Sequence, residues 1–371
     1  MKAYILKNIG DFSLEETKNP VLSDGGLCDH HGRLSVSDDS CVIVKVRAAG
    51  ICGSDIPRIY KNGAYHHPLI PGHEFSGEVA ECGKNVSGDF AGKRVGVFPL
   101  IPCHECIPCK KHEYEMCRDY NYLGSRCDGG FAEYVKVPSD NLIFLPDEVS
   151  FEQAAMLEPL SVAIHAIKKA GISSVDGKIS KDSSIAVCGL GTIGLFIVMQ
   201  LKSMGFSNLI CIGNKDYQKK IVTEELGSSE DCFISFDPAD AVNRIIEKTG
   251  GAGVDAYFEC VGKNESVTLG LNVLAPSGRL QLVGNPASDM FFSRDDYWKI
   301  LRKQLTVTGT WNSSFTHSEN DDWNEVLRSL SEKRIRPEKL ITHRFPLEDF
   351  YKGFEIMRDK TEDYIKVMCT I

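Results

Sequence analysis

Four cysteines stand close together in "CHECIPCKKHEYEMC", spaced Cys103-x2-Cys106-x2-Cys109-x7-Cys117. Thiolates at such short intervals can close a tetrahedron around one zinc ion and leave no position open for substrate, which is the signature of a structural site. His104 and His112 lie inside the stretch, but four sulfurs already fill the shell. A second set is dispersed: Cys52 in "GICGSD", His73 and Glu74 in "PGHEFSG" after twenty intervening residues, and Glu158 in "LEPLSVAIHA". One thiolate, one imidazole and one or two carboxylates make a zinc site with an exchangeable position, as Lewis-acid chemistry requires. Taken singly, each of these residues has a plainer reading: a buried thiol, a satisfied histidine, a carboxylate at a helix N-terminus.

The third constellation is "VCGLGTIG", a G-x-G-x-x-G run of Gly189, Gly191 and Gly194 between an apolar stretch and a helical one. In a dinucleotide site the first glycine permits the tight turn, the second admits the pyrophosphate and the third lets helix and strand pack closely. Gly189, Gly191, Thr192, Ile193 and Gly194 are therefore the expected phosphate-side contacts, with helix N-terminal N–H groups meeting the anion. About 20 residues further on, an acidic side chain normally binds the ribose 2′-hydroxyl. Here Gly213, Asn214 and Lys215 occupy that place, with Lys219 and Lys220 a turn later. A carboxylate would repel a 2′-phosphate, so its absence beside lysines favours NADP over NAD. Two other readings stay open: the lysines are the solvated face of the next helix, or Asp216 serves as a displaced carboxylate.

These residues need elements to hold them. A chain of 371 residues exceeds what one hydrophobic core usually organises, so two domains are expected. Up to about residue 150, short runs such as "CVIVKVRAAGICG", "FSGEVAECG", "GKRVGVFPL" and "GGFAEYVKVP", bounded by Gly, Pro and Asp, read as strands and turns. Beyond it, "SFEQAAMLEPLSVAIHAIKKAG" has helical spacing. "SSIAVCGLGTIGLFIVMQLKSMG", "NLICIG", "VDAYFECVG", "GRLQLVG" and "LTVTGTW" then supply strands alternating with helices, as in a parallel sheet covered on both faces. "WNEVLRSLSEKRI" and "LEDFYKGFEIMRDK" read as helices of a segment returning to the first domain. Residues 23–40 are polar and aperiodic; Cys28, Asp29, His30 and His31 are metal-ligating types, but adjacent positions wrap one tetrahedral ion poorly, and a solvated loop is the expectation.

With 42% apolar and 25% charged residues the composition is that of a globular protein, and the formal net charge of -9 argues against nucleic-acid or anionic-membrane binding. A zinc-ribbon module for nucleic acid is disfavoured on the same ground. No secretory signal is evident in "MKAYILKNIG", and no uncharged run approaches the roughly 18 to 20 residues of a membrane span. A cytoplasmic protein is therefore expected, in which the fourteen cysteines stay reduced and any that cluster point to metal binding.

The order "GHE", cysteine lobe, "EPLSVAIHA", "GLGTIG" resembles the zinc-dependent medium-chain dehydrogenase/reductases over nearly the whole chain, and "CGSDIPRIYKNGAYHHP", "LGSRCDGGFAEY" and "KILRKQLTVTGTW" are most similar to their sugar-alcohol branch. The resemblance implies an α/β architecture: a mainly β GroES-like catalytic domain at 1–160 with the structural-zinc lobe, a Rossmann doubly wound parallel sheet at 161–308, and a C-terminal return at 309–371. It implies two zinc ions per chain, a catalytic one on Cys52, His73 and Glu158 with Glu74 as an alternating or nearby ligand, and a structural one on Cys103, Cys106, Cys109 and Cys117. Ser54 matches the hydroxyl that relays the alcohol proton. The expected reaction is hydride transfer between a sugar-alcohol phosphate and NAD(P), with a free polyol or secondary alcohol as the alternative substrate, in a homodimer or homotetramer. A non-catalytic dinucleotide-binding regulator would carry a degraded zinc set, whereas this one is intact. Arg58, Lys61 and Arg126 are the candidate cations for a substrate phosphate. Three departures stand out: Pro57 where relatives often complete the relay with histidine, Asn312 where sorbitol dehydrogenases carry arginine, and the missing acidic residue of the phosphate-using, NAD-linked members.

Overall fold

The computed structural model describes residues 1–28, 32–172, 179–286 and 288–371. The chain divides into two compact units, Met1–Glu158 with Ser314–Ile371, and Pro159–Ser313.

In the first unit a seven-stranded sheet runs in the order Leu142–Phe144, Arg94–Val97, Glu74–Cys82, Cys41–Gly50, Lys366–Thr370, Ile341–Pro346, with Tyr134–Pro138 also paired to Cys41–Gly50. The apolar "CVIVKVRAAG" run becomes its central strand because both faces are covered, and eight of its ten residues are buried. The C-terminal strand Lys366–Thr370 pairs antiparallel with its end, Met368 opposite Gly50. The core beneath is aromatic: Phe131, Phe350 and Phe354 meet edge to face, and Tyr4 packs on Phe350 while its hydroxyl donates to the Leu347 carbonyl at 3.0 Å.

The long helical stretch after residue 150 is interrupted. Ser150 caps Phe151–Ala155 in a reciprocal box with Gln153, that helix stops at Met156, and a second helix, Leu157–Lys169, starts with Glu158 in its first turn. The 23–40 stretch also differs from a plain loop, because Leu27–Cys28 and Leu34–Val36 form a small antiparallel sheet. Buried Lys136 organises it by pairing with Asp24 and, at 2.6 Å, with Asp38, whose other oxygen accepts from Gly25 N. Cys28 is exposed, and Asp29, His30 and His31 lie outside the described residues.

In the second unit the six-stranded sheet is parallel throughout, ordered Phe233–Ser235, Leu209–Gly213, Ile185–Cys188, Val254–Glu259, Leu274–Leu282, Thr306–Gly309. Numbered along the chain this is 3-2-1-4-5-6, the doubly wound Rossmann order. The order reverses between Ile185–Cys188 and Val254–Glu259, and the crevice at the carboxyl ends of those two strands is where such sheets take their ligand.

Candidate active site and metal centres

The turn that follows the central strand of the first unit carries Cys52. Its N–H donates to Asp55 Oδ2 at 3.0 Å, and the Ser54 hydroxyl donates to its sulfur at 3.3 Å. His73 and Glu74 sit at the start of the neighbouring strand, 4% and 1% exposed. Ligand atoms of Cys52, His73 and Glu74 all lie within 4.8 Å of one another. Glu158 falls outside that grouping, although it is buried and coupled electrostatically to His73 and Glu74.

Three residues that the sequence did not single out surround this group. Asp55, completely buried, takes Arg58 Nη1 at 2.6 Å and faces His73 Nδ1 at 3.5 Å. Burial alone would raise its carboxyl, but His73 and Arg58 outweigh that and hold it below the usual range. Lys366 reaches Glu74 Oε2 from the C-terminal strand and also donates to the Ile51 carbonyl at 3.1 Å. The pair fits only because residue 50 is glycine, since a Cβ there would stand 2.6 Å from Glu74 Oε2 and 2.7 Å from Lys366 Cε. Tyr122 donates to Glu158 Oε1 at 3.3 Å and sets its ring edge to face with His73 at 5.8 Å.

The electrostatics of the group suit a cation. Burial pushes the Glu158 carboxyl up to about 7, and Glu74 adds to that push while His73 and Lys366 oppose it. Burial would lower the His73 imidazole, yet Asp55 and Cys52 lift it well above its ordinary value. His73 Nδ1 is a buried nitrogen without a hydrogen-bond partner of acceptable geometry. A thiol, an imidazole and carboxylates thus converge in a buried recess, and the donor set fits zinc.

The cysteine lobe fits zinc on simpler grounds. Sγ–Sγ separations are 4.0 Å for Cys103–Cys109, 3.4 Å for Cys106–Cys109, 3.9 Å for Cys106–Cys117 and 3.5 Å for Cys103–Cys117. A tetrahedron with metal–sulfur bonds of ~2.3 Å has edges of about 3.8 Å. Backbone N–H groups of Arg118 and Cys109 pull the Cys106 thiol down to about 6, toward the thiolate that binds metal. His104 and His112 turn to Tyr114 instead, the first by ring packing at 5.4 Å and the second by a hydrogen bond of 3.2 Å.

Of the candidate phosphate cations, Arg58 is committed to Asp55. Arg126 is sandwiched between the rings of Tyr65 and Tyr120 at 4.6 and 4.0 Å and donates to the Tyr120 carbonyl. Lys61 is exposed.

In the second unit each glycine of the turn has its own geometry. Gly189 has φ 94°, with Val261 Cγ2 only 2.7 Å from where a Cβ would stand. Gly191 precedes the helix Thr192–Ser203 and has nothing within 4 Å of its virtual Cβ, leaving room for a ligand. At Gly194 a Cβ would come within 2.0 Å of the Gly189 carbonyl. Behind the turn, Gln218 ties the first two strands together, donating to the Leu190 carbonyl at 3.1 Å and accepting from Asn214 N at 3.0 Å. Its Oε1 lies 2.6 Å from where a Cβ at Gly213 would stand, so a larger residue there would displace the Gln218 amide. Asn214, Lys215 and Asp216 are exposed; the Lys215 ammonium lies 5.2 Å from the Tyr217 ring, and Lys219 pairs with Glu230 at 3.2 Å.

Comparison with known proteins agrees with this layout. Residues 38–147 match the alcohol dehydrogenase GroES-like domain, and residues 192–332 match the zinc-binding dehydrogenase family. The chain is 33% identical to galactitol 1-phosphate 5-dehydrogenase of Escherichia coli over 83% of its own length and 86% of that protein's. It is also 33% identical to L-threonine 3-dehydrogenase of Bacillus subtilis, over 85% and 88% of the two chains. The crystal structure of galactitol-1-phosphate dehydrogenase from Escherichia coli superimposes over the whole of both chains with a TM-score of 0.85 at 29% identity.

Proposed function

The chain belongs to the zinc-dependent medium-chain dehydrogenases, NAD(P)-dependent oxidoreductases of alcohols and polyols, and on that premise we propose that it interconverts a sugar-alcohol phosphate of the galactitol 1-phosphate kind and the corresponding ketose phosphate. The observation that carries the chemistry is the convergence of Cys52, His73 and Glu74 beside the Ser54 hydroxyl. Cys52, His73 and Glu74 would hold a zinc ion, with Glu158 nearby, and the ion supplies Lewis acidity that brings an alcohol's ionisation toward neutral pH. Asp55 orients the His73 ring and offsets its charge. Lys366 pairs with Glu74 and holds it in place. Ser54 takes the alcohol proton and passes it outward, a route that Pro57 cannot continue with a side-chain base. A bound nicotinamide would supply the acceptor for hydride from the carbinol carbon.

The phosphate part of the reading is supported by the galactitol 1-phosphate relative and by the exposed cation Lys61. The threonine dehydrogenase relative, at equal identity, supports the second reading, a free alcohol or polyol. Initial rates with galactitol 1-phosphate and galactitol, each with NAD and NADP at matched concentrations, test both questions. Turnover of the phosphate alone, with a preference for NADP of at least about tenfold, is expected, one decade being about 1.4 kcal/mol of differential binding at Asn214 and Lys215. Equal rates with free galactitol would overturn the phosphate reading, and an NAD preference would return the ribose to Asp216 or to backbone groups.

We also place the protein as a homodimer or homotetramer. Thr306–Gly309 is a terminal strand of the parallel sheet with an exposed edge, and Phe291, Phe292, Trp298 and Leu301 crowd the same unit's surface, Phe291 being 71% exposed. Such edges and apolar patches are normally covered. Sedimentation at micromolar concentration should show an oligomer; a monomer would sink this assignment.

A further inference from the structure

Glu259 is the last residue of the strand Val254–Glu259 and is 1% exposed, yet among the described residues no cation pairs with its carboxylate. Its Oε1 accepts three hydrogen bonds instead: from Val261 N at 2.8 Å, from Gly262 N at 2.8 Å and from the Ser266 hydroxyl at 2.6 Å. Its own carbonyl accepts from Val283 N and Gly284 N at 2.9 and 2.8 Å. One residue thereby pins the loops that follow two adjacent strands. The loops are packed to the limit, since a Cβ at Gly262 would stand 1.9 Å from the Asn285 carbonyl. An apolar side chain could fill the same space without the cost of burying a carboxylate, so the charge has a use other than packing.

The position of this knot suggests the use. In the sheet, Glu259 is opposite Cys188, the residue before Gly189. Val261 presses on Gly189 and remains 36% exposed, at the point where the strand order reverses. A dinucleotide lies across that crevice, its ribose-selecting end at the second strand, here Gly213–Lys215. The other end, which bears the nicotinamide, must then lie on the side of Val254–Glu259. By drawing the Val261 and Gly262 N–H groups inward, the carboxylate leaves the Val261 side chain facing the ligand.

We propose that Glu259 is a positioning residue for the nicotinamide half of the coenzyme, acting through the Cys260–Gly262 loop; the assignment rests on the coenzyme reading above. The test compares Glu259→Gln and Ser266→Ala with the wild-type chain. Binding of NADH and NADPH is followed by fluorescence, binding of ADP and adenosine 2′,5′-bisphosphate by calorimetry, and the melting temperature is recorded for each. Glu259→Gln should weaken the reduced dinucleotide about tenfold, as expected when hydrogen bonds to a charged acceptor become bonds to a neutral one, while the adenosine fragments bind as before. Ser266→Ala, which removes a single donor, should show a smaller loss of the same kind and keeps the test usable if Glu259→Gln does not fold. Unchanged dinucleotide affinity in the folded variants would overturn the proposal, and so would an equal loss for dinucleotide and fragments, which marks general loosening. Failure of the wild-type chain to bind any dinucleotide would instead sink the coenzyme reading beneath it.

Discussion

Replacing Cys52 with serine should abolish turnover while leaving the protein folded and able to bind coenzyme. The sulfur is one of three ligand atoms that converge within 4.8 Å, and the only thiol among them. Loss of Lewis-acid stabilisation worth about 4 kcal/mol corresponds to a roughly thousandfold lower kcat at about 1.4 kcal/mol per decade. The fold should tolerate the change for a local reason. The bond that organises the turn comes from the Cys52 N–H to Asp55, so it survives loss of the sulfur, and the side chain is only partly buried. The glycine turn that would take the coenzyme belongs to the other compact unit. Steady-state rates, zinc content and a melting curve on the same preparation decide the matter. Wild-type turnover would remove Cys52 from the catalytic site, whereas lost activity together with a collapsed melting transition would make it a structural residue.

How far the sequence revealed these sites depended on how local each signal was. The cysteine quartet and the glycine turn are contiguous motifs, readable because the chemistry constrains residues a few positions apart. The strand–helix alternation gave the α/β class, but the strand order, with its reversal between Ile185–Cys188 and Val254–Glu259, is fixed by which edges pair in space. The three-residue strand Phe233–Ser235 is too short to show a period, and the strands Ile341–Pro346 and Lys366–Thr370 take their meaning from joining a sheet built some three hundred residues earlier. The helix break at Met156 was hidden because apolar spacing continues across it.

The partners of the candidate site were harder to read than its ligands. Lys366 lies 292 residues from Glu74, and nothing local marks the two as a pair. The available clue was a lone lysine inside the apolar "YIKVMC" run, since a buried ammonium needs a carboxylate. Asp55, three residues after Cys52, had a similar clue in a charged residue next to a buried turn. Tyr122 had none, because an aromatic in a glycine-rich loop usually packs. Arg58 and Arg126, candidate phosphate cations in the sequence, each have a specific partner that no local pattern announced, Asp55 for one and two tyrosine rings for the other.

Cys106→Ser should produce the converse of the Cys52 result, a loss of stability with chemistry spared in whatever remains folded. The lobe from Cys103 to Cys117 has little else to hold it. Its only regular elements are a four-residue helix, Ile107–Lys110, and a single turn at Tyr114–Met116. Ile107 and Met116 are 58% and 53% exposed, so they supply no core. Two non-glycine residues, His104 and His112, sit at φ 58° and 60°, a left-handed state that L side chains adopt uncommonly. Beside the contacts of both histidines with Tyr114, the four sulfurs are what holds the lobe in this shape. Zinc binding in isolated finger peptides contributes on the order of 10 kcal/mol to folding. Here the lobe is an excursion from a well-packed unit, so one lost thiolate should cost about 2–3 kcal/mol, or roughly 5–10 °C in Tm at about 2–4 °C per kcal/mol for a domain of this size. Zinc should fall by one ion per chain, and a protease should cut the lobe first. An unchanged melting temperature with full zinc content would reject the structural clip, and because Cys52→Ser is expected to alter rate and not stability, the two variants separate the two metal centres.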